Sequence, residues 1–191
     1  MGLFDKLNNG ASAPQGTPAG SAGNRTESVV FSRLPDTFEE FKSLPQAALA
    51  TPFDTAALTV LALCFYPENA ALSLEMLNYI KGPKPLSEYE KQFIRDRFAD
   101  KNYVPRSYFS GAVPANDYLP AEPYTIRVSE NPYSYQDAGY AKLYLQSGGA
   151  DSLRPLTLRQ KKSTGEWFVF SDSFRGLLAD IRIPKEQDPW A

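Results

Sequence analysis

Tyr124-Thr125-Ile126-Arg127-Val128 alternates apolar and polar side chains as a half-buried strand does, and it heads a series of such stretches in the last third of the chain. Ala141 to Gln146, Leu156 to Lys161 and Glu166 to Phe170 read the same way. Ser147-Gly148-Gly149-Ala150-Asp151-Ser152 and Lys162-Ser163-Thr164-Gly165 join the last three. Connections of that kind, containing glycine, make an antiparallel meander the natural pairing. Gly148-Gly149 is expected to be a hairpin turn, because no Lys-Ser/Thr of a phosphate-binding loop and no Rossmann helix follows it.

Upstream the periodicity is helical. Asp36 to Leu44 carries Phe38, Phe41 and Leu44 on one face, has Asp36 as a candidate cap, and stops before Pro45. Asp54 to Tyr66 has apolar residues on every side, which predicts a helix enclosed by protein, with Asp54 as its cap and Pro67 as its stop. It is too short to span a bilayer, which takes about 20 apolar residues. The stretch to Gly82 places Ala71, Leu74, Leu77, Met76 and Ile80 at helical spacing, with the glycine ending it. Ser87-Glu88-Tyr89-Glu90 is a capping box opening a helix to about Asn102 that buries Phe93, Ile94 and Phe98. Its charges are of both signs, as on a solvated face, although a partner could also meet them. Helices first and strands later give an α+β class: an N-terminal helical layer packed on a C-terminal antiparallel β-meander.

The 191 residues fit a single domain over 29–191 preceded by a flexible arm over 1–28, whose Gly, Ala, Ser, Asn and Pro cannot offset the entropy of ordering it. The arm lacks a secretory apolar core and cleavage site, so the cytoplasm is the expected compartment. Leu3, Phe4 and Leu7 could share one helical face, which leaves residues 2–7 as a weak membrane-surface contact.

Twenty Lys and Arg against 22 Asp and Glu argue against generic binding to nucleic acid. The absence of histidine excludes Ser-His-Asp and Cys-His catalysis and histidine zinc sites. The single cysteine, Cys64, lies in the most apolar helix and reads as core filling. No metal and no cofactor is expected. The carboxylate pairs Glu39-Glu40, Glu88 with Glu90, Asp96 with Asp100, and Asp172 with Asp180 are the remaining acid/base candidates, and none lies in an apolar stretch that would raise a pKa.

The most unusual feature is the segment from Tyr103 to Tyr144, which holds eight of the 11 tyrosines and is interrupted by prolines. Such rings either pin loops to a core or form a binding surface; in the second case Tyr103, Arg106, Tyr108, Tyr133 and Tyr135 are the residues that would form it. Trp190 likewise either anchors the tail on the body or inserts into a partner.

Lys81-Gly82-Pro83-Lys84-Pro85-Leu86-Ser87, Glu90 to Phe98, Tyr103-Val104-Pro105-Arg106-Ser107-Tyr108-Phe109, Asn131-Pro132-Tyr133-Ser134-Tyr135, Gly139 to Tyr144 and Asp188-Pro189-Trp190 together resemble a bacterial domain family of unknown function over residues 30–191. The resemblance implies no catalytic residue and no substrate. Gly2-Leu3-Phe4-Asp5-Lys6 resembles the starts of bacterial proteins associated with membrane stress or membrane surfaces. Gly165-Glu166-Trp167 is similar to a strand motif of cystatin-like and nuclear-transport-factor-2-like folds, in which helices pack on a curved antiparallel sheet. The leading functional expectation is a non-catalytic protein-interaction module. The alternative is a small-ligand-binding protein or enzyme with a carboxylate- and tyrosine-lined pocket between helices and sheet.

Overall fold

In the computed structural model, which describes residues 24–190, helices begin where a side chain can reach a free backbone N–H. α1 (Phe38–Lys42) is capped by Thr37, whose hydroxyl accepts from Glu40 N–H, and not by Asp36; the Asp36 N–H instead donates to the Glu40 carboxylate. α2 (Pro52–Cys64) is capped by Thr51 rather than Asp54. Pro52 takes the first helical position, where a missing N–H costs nothing, and Asp54 sits in the first turn accepting the Thr51 hydroxyl at 2.6 Å. In both cases the hydroxyl lies one turn ahead of a carboxylate that suits the positive helix end.

α2 is the central element. From Pro52 to Leu63 only Asp54 escapes burial, and each fully buried leucine there contributes about 1.5–3 kcal/mol of transfer free energy. α3 (Ala70–Lys81), capped by Asn69, packs against it through Met76, Leu77 and Ile80; Ser73 donates to the Ala62 carbonyl at 2.7 Å. Ala71, expected on the apolar face, is exposed. α3 ends at Gly82 with φ 58° and ψ −122°. A Cβ there would meet the Phe168 ring at 2.3 Å, so both backbone and space demand glycine. α4 (Glu88–Phe98) has the full capping box of Ser87 and Glu90. It buries Ile94 and Glu90, whereas Phe93 and Phe98 are only half-buried.

The sheet has five antiparallel strands in sequential order: β1 (Arg25–Phe31), β2 (Tyr124–Glu130), β3 (Tyr140–Leu145), β4 (Arg154–Gln160) and β5 (Trp167–Val169). Helices preceding the four later strands pack on one face of this curled sheet, giving the α+β class expected. β1 corrects the local reading: Arg25 to Ser28, assigned by composition to the arm, are strand and pair with β2 from Arg25–Glu130 to Phe31–Tyr124. Val29 and Phe31 from β1, Ile126 and Val128 from β2, Leu143 and Leu145 from β3, and Leu156 and Leu158 from β4 form the sheet side of the core. Residues 1–23 of the arm, with the apolar face of residues 2–7, lie outside the described residues.

β2 and β3 pair only at Val128–Leu145 and Ser129–Tyr144 and then part. The gap is floored by residues 107–112. Phe109 bridges to Ile126, Ser110 N–H donates to the Thr125 carbonyl at 2.8 Å, and Gly148 N–H donates to the Ser107 carbonyl at 2.8 Å.

Candidate functional site

Strand periodicity sends alternate residues to the face of the sheet that α2 does not cover. On β1 these are Thr26, Ser28 and Val30; on β2, Thr125, Arg127 and Ser129; on β3, Tyr140, Lys142 and Tyr144; on β4, Pro155, Thr157 and Arg159. Every one is exposed or half-buried. The set holds three cations and not one carboxylate, although the chain carries a net charge of −2. Among the described residues, Arg127, Lys142 and Arg159 make no ion pair. Arg159 instead lies over the Tyr140 ring at 5.4 Å and the Phe170 ring at 6.0 Å.

Two open clefts flank the short β2–β3 pairing. One, of about 290 Å³, sits over the gap, lined by Arg127 of β2, by Gln146 just past the end of β3, and by Ser110, Gly111 and Gly148. The other, of about 520 Å³, is bordered by Asn24, Thr26, Ser129, Glu130, Asn131 and Tyr144; the hydroxyls of Thr26 and Ser129 bond to each other there at 2.8 Å, and Glu130 accepts from the Tyr135 hydroxyl. No residue of α1 to α4 lines either cleft.

The five residues singled out by composition do not come together as a set. Tyr103 and Tyr108 are each 2% exposed. The first stacks on Tyr118 with ring centroids 5.6 Å apart, and the second donates its hydroxyl to the Leu177 carbonyl at 2.8 Å. Both serve the loop-pinning role. Burial pushes the Tyr108 hydroxyl upward, and Tyr118, which donates to the Arg182 carbonyl at 2.6 Å, up to about 12. Tyr135 is half-buried, and its hydroxyl donates to Glu130 at 2.8 Å. Arg106 is exposed, and Tyr133, at 67% exposure, is the one ring of the set open to solvent. Composition does not single out Arg127, Lys142, Arg159, Tyr140 and Tyr144. Their signal was the outward half of the strand alternation, in which cations recur and carboxylates do not.

Among the described residues, every carboxyl whose pKa is displaced is displaced downward. For Glu90, burial works to raise it but is outweighed by hydrogen bonds from Lys81 and Ser87; Glu88 is lowered by Lys91, Asp172 by Arg175 and Asp180 by Lys101. Burial pushes the Cys64 thiol up to about 12, with Arg106 opposing weakly. Among the described residues no three Asp, Glu or Cys side chains cluster as a metal site, and no helix is long and apolar enough to cross a membrane.

Comparison with known families places this arrangement. The chain belongs to the domain of unknown function family DUF6935. The DUF6935 match runs over residues 33–185, and so takes in α1 to α4 and β2 to β5 and leaves β1 ahead of it. No curated protein and no solved structure matches the chain.

Trp190 is 93% exposed, so the ring does not fold back onto the body as an anchor. The tail is held upstream of it. Arg182 N–H donates to the Gly149 carbonyl at 3.0 Å and Glu186 N–H to Asp117 at 3.0 Å.

Proposed function

We propose that this chain is a non-catalytic protein-interaction module that docks a partner on the uncovered face of its sheet. The observation that carries the reading is the charge of that face: among the described residues Arg127, Lys142 and Arg159 have no carboxylate partner, on a chain that is acidic overall. Solvent-facing sheets are ordinarily polar with both signs interspersed, so one-signed charge points to a ligand of the opposite sign. The helical layer beside a curled meander, with Gly165-Glu166-Trp167 leading into β5, supports a cystatin-like or nuclear-transport-factor-2-like arrangement as the finer description of the fold.

A small-ligand or enzymatic pocket between helices and sheet has less support. Both clefts lie away from the helices, and the displaced carboxyls are held ionised, where a general acid at neutral pH needs a raised value. Photo-crosslinking in the native cell tests the docking reading. A photoreactive residue placed at Ser28 or Pro155, both exposed on the sheet face, is expected to capture a discrete partner, and one at Glu75 or Asp96 on the helices is not. Capture from the helices alone, or from neither face, would remove the proposal.

A further inference from the structure

We infer that the occupant of the sheet face is an acidic polypeptide segment, one of whose carboxylates enters the cleft over the β2–β3 gap between Arg127 and Gln146. This rests on the interaction reading above and names the chemistry of the partner. Five arginines elsewhere on the molecule find carboxylates, Arg25 with Glu27, Arg33 with Glu40, Arg97 with Asp180, Arg175 with Asp172 and Arg182 with Asp151, whereas Arg95, Arg106 and Arg154 pair with none among the described residues. Among the described residues, Arg127, Lys142 and Arg159 have none. The gap gives Arg127 a concave seat, because β2 and β3 stop pairing just before it and Gln146 stands across the opening. A planar guanidinium grips a carboxylate through two parallel N–H bonds, and the Gln146 amide adds a neutral donor on the far wall. Lys142 and Arg159 continue the cationic line across β3 and β4, so a segment with several spaced carboxylates matches the face better than one isolated anion.

A single-stranded nucleic acid also carries spaced negative charge, but it is held largely by bases stacking on open rings. Here Tyr140 packs edge-on against Phe170 at 5.0 Å beneath Arg159, and Tyr144 is half-buried.

The test is fluorescence anisotropy of labelled oligo-glutamate, oligo-lysine and oligothymidylate with the full chain. Oligo-glutamate is expected to bind, more weakly as salt rises, and Arg127→Gln to weaken it about tenfold, the loss of one charged bidentate contact. Lys142→Gln with Arg159→Gln is expected to weaken it further. Arg95→Gln, which removes the same charge from exposed α4, should stay within about twofold of the parent. Equal effects of Arg127→Gln and Arg95→Gln, or tighter binding of oligothymidylate, would overturn the inference. In cells, adducts at Ser28 or Pro155 that persist undiminished in Arg127→Gln would sink the acidic partner while sparing the docking surface. A parent chain that forms no adducts there loses the docking surface itself.

Discussion

Removing the carboxylate of Glu90 should be among the most damaging single changes to this fold, and the structure indicates by how much. Lys81 at the end of α3 and Glu90 in the first turn of α4 are 4% and 9% exposed at their side chains, with Nζ and Oε1 2.5 Å apart. Lys81 also donates to the Ser171 carbonyl at 2.6 Å, and the second Glu90 oxygen accepts from the Ser87 backbone N–H and hydroxyl, each at 2.7 Å. In Glu90→Leu the ammonium stays buried with one carbonyl for company and the capping box loses its reciprocal half. A cost of about 3–5 kcal/mol follows. Lys81→Met leaves the carboxylate with both Ser87 bonds and should cost less, about 1–3 kcal/mol. The double variant should cost less than the sum of the two, by about 1.5–3 kcal/mol, because neither charge is then stranded. Urea unfolding of the four proteins, followed by tryptophan fluorescence, measures the cycle. Acid adds an independent check. The Glu90 carboxyl is held below its ordinary value when folded, so its stabilisation is complete above the unfolded value of about 4.3 and disappears as pH falls through the folded one. The gap between parent and Glu90→Leu should therefore narrow on acidification below about pH 4. Strictly additive single costs, or a gap that widens in acid, would refute the reasoning.

Gly82→Ala should destabilise by about 2–4 kcal/mol in the same unfolding assay, since the Cβ must displace the Phe168 ring and the backbone is in a region other residues avoid. Cys64, with its thiol pushed up to about 12, should react with iodoacetamide at pH 8 at least about a hundredfold more slowly in the native protein than in urea, as followed by mass spectrometry. Trp190→Ala should leave the unfolding free energy measured in urea unchanged to within about 0.5 kcal/mol, because the ring is 93% exposed; a clear drop would restore the anchoring role.

Much of the architecture is local and therefore legible in sequence. The apolar residues on all sides of Asp54 to Tyr66 mark the enclosed α2, Ser87 and Glu90 state where α4 begins, and the alternation from Tyr124 onward gives four of the five strands. Each depends on residues within one turn or one strand of each other. β1 was not legible, because Arg25 to Ser28 continue a polar, small-residue stretch and become strand only by pairing with β2, beyond all four helices. Gly148-Gly149 forms the turn between the antiparallel β3 and β4 as its sequence suggests, but only packing shows that a Cβ on the first would strike the Ala112 carbonyl and on the second the Tyr118 hydroxyl. The same holds for the tyrosines. Composition marks Tyr103, Tyr108 and Tyr133 alike, and only packing sends two of them into the core and one to solvent. What the sequence determined by itself was the order and kind of the elements, through short-range periodicity and capping. Tertiary structure alone decided which side chains face one another across the chain, and with them the uncovered cationic face, because burial and charge pairing depend on distances in space that sequence separation does not encode.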